Sequence, residues 1–238
     1  MKILYRISEG GNSKVKPSYV YDKQSMFLHF INVFKSHDIY VFADNVGEDF
    51  YTFMTENYIP SKIFRLSLGN GPSFMYSLDF AIENFDDNEK LYFAEDDYIY
   101  TPNAPKIIEE GLSITDYSTG YDHPDKYINH SEGGPNPFIY DGGETTRVVI
   151  TNSTHWKYTN SCCMTFATTV KTMKDDYSVF RSNIHSDFYI FRTLVTKKER
   201  RIASCIPSVC THGETDWLAK LIDWDEIYNN SMASITNL

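Results

Sequence analysis

The chain has 238 residues, with 22 Lys plus Arg against 32 Asp plus Glu and a formal charge of −10. That length suits one domain with a real core, and 42% hydrophobic against 23% charged residues excludes wholesale disorder. The acidic balance argues against a nucleic-acid ligand, which needs a basic face. No apolar run reaches the 18 residues of a membrane span, and the apolar part of MKILYRISEGG is too short for a secretory signal. Aromatic content is high, with 18 Tyr, 16 Phe and 3 Trp. So acidic a chain holds an anionic ligand only with local basic groups or a cation between them.

In chain order, Lys2–Ile7 reads as a buried strand, followed by a polar Gly-rich loop, SEGGNSKVKP. Phe27, Phe30, Ile31 and Phe34 fall at helical spacing within 23–35. Asp38–Ala43 is a second strand ending at Asp44, Glu48–Asn57 a helix, and Lys62–Leu68 a third strand. Pro72 suits the first turn of a helix carrying Phe74, Leu78, Ala81 and Phe85. Lys90–Ala94 is a fourth strand running straight into Glu95-Asp96-Asp97, and Thr101-Pro102 opens a helix with Ile107, Ile108 and Leu112 inward. Such alternation predicts an α/β fold: a mostly parallel sheet flanked by helices, with ligands beyond the carboxyl ends of its strands. Ser8, Asp44 and Glu95–Asp97 stand at those ends. No GxGxxG follows the first strand, so a dinucleotide is not expected.

The second half is more irregular. Residues 116–160 are polar and turn-rich, too long for an idle connection. They close with a hairpin of Arg147–Thr151 and His155–Tyr158. A strand over Ser161–Thr168 and helices over 175–181 and 184–197 follow. Cys162, Cys163, Cys205 and Cys210 lack the spacing of a zinc site and read as reduced thiols. The localisation expected is therefore cytoplasmic.

The acidic triplet has two readings. Adjacent carboxylates repel one another unless a proton or cation intervenes, and hard oxygen ligands at a sheet edge suit Mg²⁺ or Mn²⁺ bridging to a diphosphate. Equally, a solvated acidic turn is common after a strand. Asp86-Asp87, at a helix end with no strand before it, reads as solvated.

The segment YFAEDDYIYTPNA resembles the DxD region of nucleotide-sugar glycosyltransferases with the GT-A fold. The order of RIS, Asp44 and NGPS ahead of it, and TNSCCMTF, SDFYIFRTL and RRIASCIPSVCTHGE after it, is similar to small bacterial and large-virus glycosyltransferases. The resemblance implies a GT-A-type, Rossmann-like sheet with a smaller mixed sheet on the acceptor side. It also implies one domain over 1–238, with a donor half (1–112) and an acceptor half (113–238). The activity implied is inverting, metal-dependent transfer from a UDP- or GDP-sugar to a glycan or glycoprotein, in the host cytoplasm if the protein is viral. Asp97 and His212 would hold Mn²⁺ or Mg²⁺, and imidazole favours Mn²⁺. Glu95 and Asp96 would contact the donor ribose or water. Asp44 would read the nucleoside, and Arg6, Ile7 and Ser8 would frame the base, with Asn70 and Ser73 also on the donor side. Asp187, opening a late helix, would be the catalytic base, with Asp141 and Glu144 as reserves. The triplet begins with Glu where the family has Asp, which leaves open which carboxylates touch the ion.

Lys14, Lys16 and Lys23 read as solvated unless the Gly-rich loop folds over the diphosphate. Tyr121, Tyr127, Tyr140, Trp156 and Tyr158 read either as sugar-facing rings or as packing, and Trp217 and Trp224 as packing anchors. His123 and His130 are acceptor-side candidates, weaker than His212. Two other functions fit parts of the sequence: a sugar nucleotidyltransferase, of whose Gly-rich signature EGGNSKVKP is a faint echo, and an inactive carbohydrate-binding domain.

Overall fold

A computed structural model describes residues 1–10 and 14–236. Positions 11–13, in the middle of the Gly-rich loop, lie outside the described residues. Eleven strands and seven α-helices follow in order: β1 (Lys2–Ile7), α1 (Lys23–Val33), β2 (Asp38–Asp44), α2 (Glu48–Asn57), β3 (Ile63–Leu66), α3 (Asn70–Asn84), β4 (Lys90–Glu95), β5 (Tyr98–Tyr100), α4 (Ala104–Gly111), β6 (Tyr117–Thr119), β7 (Val148–Ile150), β8 (His155–Tyr158), β9 (Phe166–Thr169), α5 (Val170–Ser182), α6 (Asp187–Lys197), β10 (Ile202–Ile206), β11 (Cys210–His212) and α7 (Trp224–Thr236). Among the described residues no helix is long and apolar enough to cross a membrane.

Nine strands form one sheet in the order β3-β2-β1-β4-β9-β6-β10-β8-β7, and β11 and β5 pair separately. The first-half strands are mutually parallel, while β9 joins β4 antiparallel and β8 joins β10 antiparallel. Second-half strands therefore extend the main sheet. The small second sheet is a two-stranded antiparallel ribbon that ties the two halves together.

Helices cover both faces, so the central strands are buried on both sides and read as unbroken apolar runs. On β1, Ile3, Tyr5 and Ile7 face a core shared with α1, α2 and α7, whereas Leu4 faces α3, α5 and α6. Most of the aromatic excess is spent here. The Tyr5 ring stacks on Phe30 at 3.8 Å, and Phe166 meets Phe93, Tyr117, Phe180 and Phe191 at 5.2–5.8 Å. Trp156 is fully buried and belongs to this core. It lies where a Cβ on Gly111 would stand, 2.6 Å from its ring, so it cannot meet a sugar.

Three local boundaries depart from expectation. The helix expected at Pro102 starts at Ala104, because Thr101 turns back to bond Asn103 and Val209. Tyr98–Tyr100, to which the sequence assigns no element, is a strand. The tail beyond Trp217 supplies α7, anchored by Trp224, whose indole N–H donates to the Ala219 carbonyl.

Candidate functional site

The carboxyl ends of β1, β2 and β4 open onto a cleft of about 460 Å³, lined by Arg6, Ile7, Ser8, Asp44, Asn70, Ser73, Glu95, Asp96, Asp97 and His212, together with Lys14, Lys16, Lys23 and Glu214. All of the expected donor-side and metal residues thus meet at one place. The parallel strands deliver the first group, and the β5–β11 ribbon delivers His212 across a separation of 115 residues.

Each carboxylate of the triplet has its own cation. Arg6 Nη2 lies 2.6 Å from Glu95, Lys23 Nζ 2.9 Å from Asp96, and Lys16 Nζ 2.6 Å from Asp97. Of the lysines expected in solvent, Lys16 and Lys23 are therefore drawn inward, Lys16 retaining only 7% of its side-chain exposure, while Lys14 stays exposed. The physical reason is the repulsion among three crowded acids, Asp97 buried and Glu95 and Asp96 half-buried, which the neighbouring ammonium groups relieve. Burial pushes the Glu95 and Asp96 carboxyls up, opposed chiefly by Arg6 and Lys23. At Asp97 burial acts the same way, but the neighbouring His212 and Lys16 outweigh it and hold the carboxyl well below the usual range.

Arg6 also braces the start of α3, donating to the Asn70 carbonyl and side-chain oxygen at 2.8 Å and to Ser73 at 3.3 Å. Ser8 lends its backbone N–H to Asp96 at 2.6 Å. Asp44 accepts the backbone N–H groups of Leu68 and Gly69 at 2.6 and 2.9 Å, so it holds the turn before α3 while lining the cleft.

His212 is placed by strand pairing. It lies opposite Tyr98 in the ribbon and stacks on that ring at 5.0 Å. Gly213 then donates its N–H to the Asp97 carbonyl at 2.7 Å, an approach that a Cβ would block at 2.8 Å. His212 Nε2 comes to 3.0 Å from Asp97 Oδ2 and Nδ1 to 3.2 Å from Glu214 Oε1. Burial alone would lower the imidazole pKa, but Asp97, Glu95 and Glu214 raise it.

Among the described residues no group of three or more His, Cys, Asp or Glu side chains converges as a metal cage. The donor set of Asp97 and His212 nevertheless fits Mn²⁺ or Mg²⁺. Ions of that kind in phosphate sites take one or two protein ligands and complete their shell with phosphate oxygens and water, and Mn²⁺ tolerates imidazole.

A second cleft of about 290 Å³ adjoins the first, and Lys14 and Glu214 line both. Its wall includes Asp187, His123, Lys126, Ser161, Cys162, Cys163, Phe188 and Trp217. Asp187 opens α6, whose N-cap is Ser186, and one of its oxygens accepts the Phe188 N–H at 2.6 Å. Of the reserves, Asp141 and Glu144 line neither cleft. Glu144 is spent on the Asn160 N–H and on Lys157. Trp217 lines the cleft instead of anchoring the tail, and its ring lies 5.2 Å from His123. Tyr140 is exposed and Tyr121 buried, and neither lines a cleft wall. His130 is turned to the Gly134 carbonyl. All four cysteines are free thiols.

Sequence reading missed Glu214, Lys126, Ser161 and Trp217. Only Glu214 carried a local signal, since in extended backbone it lies on the same side as His212, two residues earlier.

The sheet order, the flanking helices and the position of the cleft define a GT-A-type α/β fold. Solved structures share it along nearly the whole chain. An active-site mutant of LgtC is 8% identical with a TM-score of 0.50, over 98% of this chain and 96% of its own. CMP:2-keto-3-deoxy-manno-octonic acid synthetase complexed with CTP is 9% identical with a TM-score of 0.50, over 99% and 98%. 4-diphosphocytidyl-2C-methyl-D-erythritol synthase from Anaerococcus prevotii is 14% identical with a TM-score of 0.48, over 98% and 96%. At these identities the likeness is one of fold. No protein-family model and no curated protein matches the sequence.

Proposed function

We propose that the protein is a glycosyltransferase that moves a sugar from a nucleotide donor, UDP- or GDP-linked, to a hydroxyl of a glycan or glycoprotein, with inversion and with Mn²⁺ or Mg²⁺ as cofactor. One observation carries the reading: a close Asp97–His212 pair stands in the cleft at the strand ends, and a second cleft bearing Asp187 adjoins it. The two clefts give a donor and an acceptor separate seats that meet at Glu214.

A divalent cation on Asp97 and His212 would act as a Lewis acid, stabilising the diphosphate as it leaves. Arg6, Lys16 and Lys23 neutralise Glu95, Asp97 and Asp96, which removes much of the repulsion that a diphosphate would otherwise meet in an acidic protein. An acceptor hydroxyl in the second cleft attacks the anomeric carbon as the bond to the diphosphate oxygen breaks. Its proton passes to the Asp187 carboxylate, and the nucleoside diphosphate carries off the electron pair.

Asp97→Asn tests this. The variant is expected to lose transfer together with Mn²⁺-dependent binding of UDP and GDP; unchanged transfer would overturn the assignment. A sugar nucleotidyltransferase is the second reading. It is favoured by Lys16, which follows the Gly-rich segment into the cleft, and by the CTP-bound neighbour of the same fold. Product analysis separates the two, because glycosyl transfer releases a nucleoside diphosphate and nucleotidyl transfer releases pyrophosphate.

A further inference from the structure

The second cleft holds about 290 Å³, at the lower limit of small-molecule sites, which span about 300–1,000 Å³. That is room for a sugar unit but not for a chain. Phe188, in its wall, carries the apolar surface outward. Its ring stacks on Phe138 with centroids 6.1 Å apart and planes 19° apart, and meets Tyr189 edge-on at 5.9 Å. Phe138 is 44% exposed and Tyr189 65%, so the run of rings begins in the cleft and ends in solvent. We infer that the acceptor is an oligosaccharide of at least two units. The unit to be glycosylated lies in the second cleft beside Asp187, and the next lies across the shelf of Phe138, Phe188 and Tyr189. This rests on the reading of the second cleft as the acceptor seat.

Single exposed rings are ordinary, whereas contiguous ones mark a binding surface. These rings are also held in place. The buried Asn136 side chain accepts the Phe138 N–H at 3.1 Å and donates to Asn160 at 3.2 Å, and the following Ile139 is fully buried. The Arg192 guanidinium lies 4.0 Å from the centre of the Phe138 ring. Tyr189 stands in the first turn of α6, which Ser186 caps. A ligand therefore finds a shelf already ordered, which lowers the entropic cost of binding. Asp187, Phe188 and Tyr189 are consecutive, so one helical turn fixes the spacing between the proposed base and the outer ring. The exposed parts of Phe138 and Tyr189 offer roughly 150–300 Å², if a buried aromatic covers 150–250 Å². A stable protein complex needs about 800 Å² from each partner. The shelf thus suits the apolar face of a sugar unit better than a protein or a second copy of this chain.

The test is saturation-transfer NMR titration with glucose, galactose and N-acetylglucosamine and with their di- and trisaccharides. At least one disaccharide is expected to bind about 3–10-fold more tightly than its own monosaccharide, the worth of one ring contact. Phe138→Ala and Tyr189→Ala are each expected to bring that ratio towards one, and Phe138→Tyr, which keeps the ring, to preserve it. Both rings are exposed, and thermal melts check that the variants fold. A panel in which length brings no gain, or a gain that survives both alanine variants, overturns the proposal. Product analysis separates this failure from that of the transferase reading. Transfer to a monosaccharide with no advantage for longer acceptors keeps the transferase and removes the shelf. Length-dependent binding without transfer keeps the shelf and removes the transferase.

Discussion

Lys16 has two roles that pull in opposite directions. Its ammonium relieves the repulsion around Asp97, yet it sits on the oxygen that a divalent cation needs. Removing one partner of a buried ion pair costs about 3–5 kcal/mol. Lys16→Met is therefore expected to lower stability in metal-free buffer by up to about 3 kcal/mol, and Mn²⁺ is expected to recover more of that loss than it adds to the wild type. Urea melts with and without Mn²⁺ measure both effects. Equal Mn²⁺ stabilisation of the two proteins would place the cation away from Asp97. The acidic triplet was plain in the sequence, whereas its basic partners were not. In the sequence Arg6 stands among the donor-side residues while Lys16 and Lys23 look like ordinary solvated charges, and only the fold brings all three to the acidic triplet.

The β5–β11 ribbon sets the distance between Asp97 and His212. A Cβ at Gly213 would meet the Asp97 carbonyl and the Val20 side chain at 2.8 Å. Gly213→Ala is thus expected to cost about 1–3 kcal/mol, as overpacking does, and to weaken Mn²⁺ binding as His212 is displaced. Calorimetry together with the metal titration checks both. His29 joins the same ribbon to two helices. It accepts the Tyr100 N–H at 3.0 Å and meets Ser231 of α7 at 2.8 Å, and burial lowers its pKa to about 4. The unfolded chain protonates near 6.5, so it binds more protons than the folded state between pH 6.5 and 4. Stability is complete above pH 6.5 and falls as pH drops through that window, by about 2 kcal/mol between pH 7 and 5. His29→Asn should flatten that part of the profile; an unaltered slope would assign it to other groups. The ribbon was hard to foresee because three-residue strands carry too little periodicity, and Tyr98–Tyr100 merges with the acidic run. Three of the parallel strands, β1, β2 and β4, were legible because burial on both faces leaves them largely apolar, whereas β3, at the sheet edge with Arg65 exposed, followed from its place in the alternation.

At the scale of the whole molecule, the −10 charge coexists with a cleft where Arg6, Lys14, Lys16 and Lys23 gather. A nucleotide that binds only the native state at a hundredfold excess over its Kd adds about 2.7 kcal/mol. For a chain of this size that raises Tm by roughly 5–10 °C. UDP or GDP with Mn²⁺ is expected to produce a shift of this order, and the same nucleotides with EDTA a smaller one. A panel that gives no shift with any nucleotide would remove the donor reading. The helix-flanked sheet and the position of the first cleft followed from strand–helix alternation. The second cleft did not, because its wall comes from residues 123–126, 161–163, 187–188 and 217, which no periodicity links.

One consequence concerns the order in which a ribosome makes this protein. Asp97 emerges 115 residues ahead of the histidine that faces it. The nascent first half therefore carries three crowded acids, with only Arg6, Lys16 and Lys23 to balance them, until β11 has been made. In the finished fold Lys16 does not yield to His212: both stand on the same oxygen of Asp97, at 2.6 and 3.0 Å.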